Sequence, residues 1–217
     1  LQDVVNRNRD SASPTDSDYD RYRRKMLIAS SEDSVVIQSF KLLKEYDYVD
    51  YNTSHNKQFT AFPKNVGFND GLSAAKPDMI EGFIMPEFDP FPIREELGGA
   101  AVVTPGPNAV TLAHIAGEWK DGGKDLTQAE TQAAYDGACL VYGRNKALAY
   151  LGTSDPPGHA SVFTFTTDGT ILNVYAHYSS RSEGKEKYHI FPFSNTFLRS
   201  SHGDHKAGQK RLRNIQD

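Results

Sequence analysis

Two carboxylates and one lysine in this chain have a spacing that would bring their side chains together. Asp78 opens a stretch with strand character, residues 77–84, and Glu118 and Lys120 lie near the end of a second such stretch, residues 110–120. Successive side chains of a strand point to opposite faces, so Glu118 and Lys120 would share one face. If the two strands pair, Asp78 can stand beside Glu118.

A cluster of this kind is suited to a hard divalent cation. Two adjacent carboxylates repel each other unless a positive charge lies between them, and oxygen ligands select Mg²⁺ or Mn²⁺. A bound cation and a lysine together can activate water and stabilise the charge that develops at phosphorus during phosphodiester hydrolysis. The implied cofactor is therefore Mg²⁺ or Mn²⁺, and the implied chemistry is phosphodiester hydrolysis.

The elements that would position these residues alternate between helix and strand. Hydrophobic spacing predicts a first helix over residues 34–46, and residues 57–71 suit a short strand and turns. The capping box that begins at Thr127 starts the longest predicted helix, residues 127–151. Two strands, residues 159–166 and 170–178, are joined across Asp168-Gly169, a strong hairpin signal. The whole predicts an α/β domain.

A loop insertion is predicted between the two strands that carry the cluster. Residues 86–108 contain five prolines and three glycines and show no clear period. A structureless segment of that length inside a domain is often functional. The insertion also accounts for the long separation between Asp78 and Glu118.

The residues around the cluster resemble a known nuclease motif. Lys76-Pro77-Asp78, followed by Gly117-Glu118-Trp119-Lys120, resembles the PD-(D/E)XK motif of the restriction-endonuclease-like superfamily. The segment is also similar to a nuclease-like domain found in fungal proteins. This resemblance implies an α-β-β-β-α-β core with a central mixed sheet flanked by helices, here over residues 31–180.

The resemblance assigns a role to each matching position. It implies that Asp78 and Glu118 bind the cation, that the main-chain carbonyl of Trp119 adds a ligand, and that Lys120 orients water or stabilises the transition state. Some branches of the superfamily carry a Gln followed by a Tyr on the next helix. Gln132 with Tyr135 resembles that pair with one residue fewer between them, and Gln128 is the competing candidate.

Composition limits the partners and the setting of this core. The net charge of −4 gives no global attraction to nucleic acid, so DNA or RNA would have to bind through local patches. We expect a polar arm over residues 1–30 and a basic extension over residues 181–217 that packs on or flanks the core; the basic residues 202–213 also fit a solvated tail. No apolar run approaches the roughly 18 residues that cross a bilayer. The lone Cys139 fits a reducing compartment, so we expect an intracellular protein, cytoplasmic or nuclear.

Two functions from different classes fit this sequence. The first is a Mg²⁺-dependent nuclease acting on DNA, or on RNA. The second is a catalytically inactive module with the same fold that binds nucleic acid or protein, as part of a fungal toxin or effector. The acidic net charge motivates the second interpretation.

Overall fold

The computed structural model describes residues 4, 7, 12–45, 50–84, 97–101, 109–122 and 125–217. Most of the predicted insertion 86–108 therefore lies outside the described residues. The described helices are α1 (Asp16–Leu27), α2 (Glu32–Ser39), α3 (Leu126–Tyr150) and α4 (His202–Gln216), with 3-10 turns at Phe40–Leu42 and Gly98–Ala100. The strands are β1 (Tyr51–His55), β2 (Met79–Ile84), β3 (Val110–Trp119), β4 (Val162–Thr167), β5 (Ile171–Ser182) and β6 (Lys185–Phe197).

The six strands form one mixed sheet in the order β1-β2-β3-β4-β5-β6. Strands β1, β2 and β3 form an antiparallel meander, β4 runs parallel to β3, and β5 and β6 continue antiparallel. A parallel neighbour requires a crossover connection, and α3 provides it between β3 and β4. From α2 to β4 the element order is α-β-β-β-α-β, and the predicted α/β class is confirmed.

Helices cover both faces of the sheet. One core contains Met26 of α1, Val35 of α2 and Leu212 of α4 against Trp119 and Phe165 of the sheet. The other core lies under α3. This second core includes Phe59, Phe62, Ile80, Ala116, Cys139 and Leu140. Because side chains alternate along β3, Trp119 faces the first core while its neighbours Glu118 and Lys120 project on the α3 side.

The hairpin between β4 and β5 turns at the predicted dipeptide. Gly169 has a φ of 77°, which an L side chain rarely adopts. The Asp168 carboxylate accepts hydrogen bonds from the main-chain N–H groups of Thr170 and Ile171, each at 2.8 Å. This local bonding fixes the register of β4 against β5.

Two predicted elements differ from the structure. The short strand expected within residues 57–71 is instead β1, which lies before that segment, at Tyr51–His55. Residues 57–71 form turns, since Asn65, Gly67 and Gly71 all have positive φ values. The first helix begins at Glu32 and gives way to a 3-10 turn at Phe40, earlier than the predicted end at residue 46, which lies outside the described residues.

The two predicted flanking segments contain regular structure. The arm 1–30 includes α1, whose Tyr22 and Met26 are buried in the core. The boundary at residue 180 falls inside β5, and β6 pairs with β5 along Lys185–Phe197. Helix α4 follows and buries Leu212 and Ile215. Residues 181–217 are therefore not a solvated tail, because their apolar residues recur at strand and helix spacing and complete the sheet and one core.

Helix α3 approaches the sheet closely at Gly137, and this contact yields a prediction about stability. A Cβ at Gly137 would lie 2.2 Å from Nδ1 of His177, a buried side chain held by Thr164 at 2.8 Å. We expect Gly137→Ala to lower the free energy of unfolding by about 2 kcal/mol, measured by urea denaturation. Gly203→Ala in α4 is the matched control, since its Cβ would meet only Ser201 Oγ at 3.6 Å. Equal stability of both variants would contradict the close approach.

Candidate active site

Asp78 lies immediately before β2, at the position where β2 meets the end of β3. Met79 pairs with Gly117, so Asp78 lies one residue further along this antiparallel pair, opposite Glu118. Its Oδ2 atom accepts a hydrogen bond of 2.8 Å from the main-chain N–H of Trp119. The structure thus brings Asp78 to the strand end that carries Glu118 and Lys120, as the pairing of the two strands predicted.

Glu118 and Lys120 form a buried ion pair on the α3 side of β3. The Lys120 Nζ atom lies 3.6 Å from Oε2 of Glu118. The two residues are only 1% and 8% exposed, respectively. Neither carboxylate oxygen of Glu118 has a hydrogen-bond partner among the described residues. A buried carboxylate without hydrogen bonds is unfavourable, so this arrangement points to a function other than stability.

The structure adds a carboxylate that sequence reasoning missed. Asp136 on α3 is 2% exposed, and its Oδ2 atom lacks a hydrogen-bond partner among the described residues. The same buried face of α3 otherwise carries small residues, including Ala129, Ala133 and Gly137. An acidic residue on the core-facing side of an Ala- and Gly-rich helix was the available signal, because such a charge is rarely buried without a partner.

Burial, together with neighbouring negative charge, raises the proton affinity of Glu118 and Asp136. Burial is the main cause that raises the pKa of Glu118, and the negative charges of Asp136 and Asp78 raise it further. Burial likewise raises the pKa of Asp136; a hydrogen bond with Glu118 lowers that pKa, Asp78 raises it, and the charge of Lys120 lowers the pKa of both Asp136 and Glu118. Without a cation, Glu118 and Asp136 therefore retain protons at a pH where ordinary carboxyl groups have lost them.

The two candidate glutamines on α3, Gln132 and Gln128, differ in how far they are exposed to solvent. Gln132 is half-buried, and its Oε1 atom is shielded without a hydrogen-bond partner in the described part of the chain. It lies one helical turn before Asp136, on a neighbouring part of the same face. Gln128 is exposed. The Tyr135 hydroxyl donates to the main-chain oxygen of Ser73 at 2.9 Å, so this residue anchors the loop before β2.

The Trp119 side chain is separated from the cluster by the sheet. The indole is buried in the opposite core, and its Nε1–H donates to Ser39 Oγ at 2.6 Å. Only the main chain of Trp119 is close to the carboxylates, through its N–H bond to Asp78. The ligand role of its carbonyl stays a prediction.

Comparison with known families covers the half of the chain that contains β3. The family described as Domain of unknown function (DUF7924) matches residues 106–217, just over half of the chain. The chain belongs to this family. The DUF7924 match includes Glu118, Lys120, Gln132 and Asp136, whereas Asp78 lies before it. Neither the curated proteins nor the solved structures gave a match to this chain.

The donor groups of this DUF7924 cluster fit a hydrated hard cation better than a tightly caged one. Across the described ranges, no group of three or more His, Cys, Asp or Glu side chains is arranged to hold a metal ion. Mg²⁺ keeps several water ligands and is often bound through only one or two carboxylates. The unpartnered oxygens of Glu118, with Asp78 at the neighbouring strand end, match that requirement.

A row of polar residues continues from the cluster across the sheet of this DUF7924 member. Glu118 pairs with Thr166 on β4, Thr166 with Asn173 on β5, and Asn173 with Asn195 on β6. Asn173 Nδ2 donates to Thr166 Oγ1 at 3.3 Å, and Asn195 Nδ2 donates to Asn173 Oδ1 at 2.5 Å. The row runs from the fully buried Thr166 to the exposed Asn195. It links the buried carboxylates to the sheet edge.

Among the residues that the structure describes, no helix combines the length and the apolar character needed to cross a membrane.

Proposed function

We propose that this chain is a Mg²⁺- or Mn²⁺-dependent nuclease of the PD-(D/E)XK type that hydrolyses phosphodiester bonds of DNA, or of RNA. The observation that carries the proposal is the buried carboxylate of Glu118. Among the described residues it accepts no hydrogen bond from a fixed donor and can share only a proton with the Asp136 carboxylate; it lies 3.6 Å from the Lys120 ammonium, at the strand end where Asp78 is located. A structural ion pair would be exposed or fully hydrogen-bonded.

In this proposal each residue has a distinct task. Asp78 and Glu118 hold the cation, with Asp78 oriented by its bond from the Trp119 N–H and with the Trp119 carbonyl as a further donor. The Lys120 ammonium donates to a phosphate oxygen or to the attacking water. Gln132 presents a neutral oxygen from α3. When bound, a divalent cation supplies charge neutralisation and a more acidic water.

The polar row supplies contacts beyond the reacting phosphate. Neutral amide groups bind phosphate and sugar oxygens without adding positive charge, which is compatible with the net charge of −4. The exposed Asn195 lies at the open end of the row. We place the activity inside the cell, in the cytoplasm or nucleus, where such substrates occur and where the buried thiol of Cys139 stays reduced.

The proposal is tested by metal-dependent cleavage of nucleic acids. We expect wild-type protein with Mg²⁺ or Mn²⁺ to cleave at least one of plasmid DNA, linear duplex DNA, single-stranded DNA and RNA, and EDTA to stop the reaction. Asp78→Ala should abolish cleavage. Asp20→Ala, which removes an exposed carboxylate from α1, should leave cleavage unchanged. Circular dichroism melts confirm that each variant is folded.

A folded wild-type protein that cleaves none of these substrates with either metal would contradict the proposal. That outcome would favour the inactive module that binds nucleic acid or protein. The acidic net charge is the observation in favour of this second function.

A further inference from the structure

A cavity of about 280 Å³ lies on the opposite side of the sheet from the carboxylate cluster. Its walls come from α1, from the 3-10 turn Phe40–Leu42 and from α4, which cover the face that contains Trp119. The lining residues include Asp18, Arg21, Tyr22, Lys41, His205 and Arg213. None of them belongs to the site described above.

The charge of the cavity is opposite to that of the whole protein. Among its described lining residues, three side chains are basic, Arg21, Lys41 and Arg213, and one is a carboxylate, Asp18, whose Oδ1 lies 3.6 Å from Nη1 of Arg21. The chain as a whole carries a net charge of −4. Three separate elements contribute the three basic residues, so their proximity is produced by the fold and not by one basic segment. Such a local excess of two positive charges attracts a dianion.

Hydrogen bonds join α4 to the 3-10 turn beside the basic residues of the cavity. Arg213 Nε donates to the main-chain oxygen of Leu42 at 3.1 Å, which ties α4 to the 3-10 turn. Gln209 Nε2 donates to the main-chain oxygen of Lys41 at 3.5 Å. These bonds fix the main chain at Lys41 and the guanidinium of Arg213, whereas the side chains of Arg21 and Lys41 are exposed.

The remaining lining residues are apolar or neutral and suit the non-phosphate part of a small organic molecule. Tyr22 is buried and held through its hydroxyl, which donates to Gly169 O at 2.8 Å, and Leu42 and Pro14 add apolar surface. His205 is 3% exposed and packs against the Tyr22 ring with centroids 4.5 Å apart. Burial lowers the pKa of His205, so its ring is a neutral hydrogen-bonding group here. Apolar walls with a few fixed polar groups are typical of small-molecule sites.

We propose that this cavity binds a phosphomonoester of about mononucleotide size. A phosphomonoester carries nearly two negative charges and three acceptor oxygens, which match the excess of two positive charges and the planar Arg donors. The volume of about 280 Å³ lies just below the usual range for ligand pockets, roughly 300–1,000 Å³, and so favours one nucleotide unit over a longer chain. The phosphate has two sources, a free nucleoside monophosphate or the 5′-phosphorylated end of a nucleic acid.

Calorimetric titration with adenosine monophosphate, in EDTA to remove cation-dependent binding at the carboxylates, tests this site. We expect the wild type to bind adenosine monophosphate and to show no binding of adenosine. The double variant Arg21→Gln/Lys41→Gln should weaken binding by about tenfold or more. Arg24→Gln is the matched control, because Arg24 lies on the same helix but does not line the cavity. Arg21 and Lys41 are both exposed, so the double variant should fold.

Comparison of a 5′-phosphorylated with a 5′-hydroxyl oligonucleotide distinguishes the two sources. If the 5′-phosphorylated oligonucleotide binds more tightly than both its 5′-hydroxyl form and adenosine monophosphate, the site is assigned to nucleic-acid ends. If adenosine monophosphate binds more tightly than the 5′-phosphorylated oligonucleotide, the site is assigned to free nucleotides. No binding of adenosine monophosphate at about 10 mM, or equal affinity in the wild type and the double variant, would overturn the proposal.

Discussion

Replacement of Lys120 by methionine is expected to lower the rate of metal-dependent phosphodiester cleavage by about 1,000-fold, with divalent cation binding retained. The ammonium lies 3.6 Å from Glu118 and is nearly buried, so its charge acts in a medium that water screens poorly. Methionine has a similar length and keeps the packing, and it removes only the charge and the donors. Cleavage rates and Mn²⁺ calorimetry on the same preparations measure the two effects separately.

Lys64→Met provides the matched control for this substitution, since Lys64 is exposed in the turns before β2. It should leave both cleavage and cation binding unchanged. If Lys120→Met cleaved within tenfold of the wild-type rate, Lys120 would have no part in the chemistry. If it lost cation binding as well, its role would be to maintain the site's structure.

Replacement of Glu118 by glutamine is expected to stabilise the metal-free protein by about 2 kcal/mol at about pH 8. Burial and the neighbouring carboxylates raise the pKa of Glu118 above its ordinary value of 4.5. For an acid whose pKa is raised by folding, the folded state binds more protons than the unfolded state. The stability of the wild type is therefore greatest below about pH 4.5 and falls as the pH rises towards the raised pKa. Glutamine cannot ionise and removes this loss.

Urea denaturation in EDTA at about pH 5 and about pH 8 measures this effect. The difference in unfolding free energy between the two pH values should be smaller in Glu118→Gln than in the wild type. Glu130→Gln, an exposed position on α3, is the control and should keep the wild-type difference. Addition of Mn²⁺ should stabilise the wild type and leave Glu118→Gln unchanged. A Glu118→Gln variant less stable than the wild type in EDTA at about pH 8 would contradict this prediction. It would show that the ionised Glu118 carboxylate is stabilised by its neighbours in the fold.

Much of the core could be predicted because its signals are local. The period of two along β3 was sufficient to place Glu118 and Lys120 on one face, and the helical spacing of apolar residues predicted the longest helix. The Asp168-Gly169 turn fixed the β4–β5 hairpin for the same reason. Such signals depend on a few neighbouring residues, which the sequence displays directly. The predicted cap at Thr127 was wrong, because Asp125 is the N-cap of α3 and accepts a hydrogen bond from the Thr127 N–H.

The remaining features depend on contacts between distant parts of the chain. Asp136 joins the cluster only because α3 crosses from β3 to β4 and faces β3, a geometry that local periodicity does not contain. Similarly, the first strand was predicted within residues 57–71, after its actual position at Tyr51–His55. The prediction relied on Phe59 and Phe62, which are buried but lie in turns and not in a strand. Residues 181–217 were expected to pack on or flank the core as a basic extension, and their charge concealed both strand β6 and the apolar stripe of α4.

Calorimetric titration of the wild type and of Asp78→Asn with Mn²⁺ at about pH 7.5 is the most direct test of the proposed cation site, because it requires no assumption about the substrate. We expect the wild type to bind the cation and to release protons on binding, as Glu118 and Asp136 become ionised. Asp78→Asn should bind at least about tenfold more weakly. Absence of binding by the folded wild type, or unchanged binding by Asp78→Asn, would contradict a cation-dependent centre at this strand end.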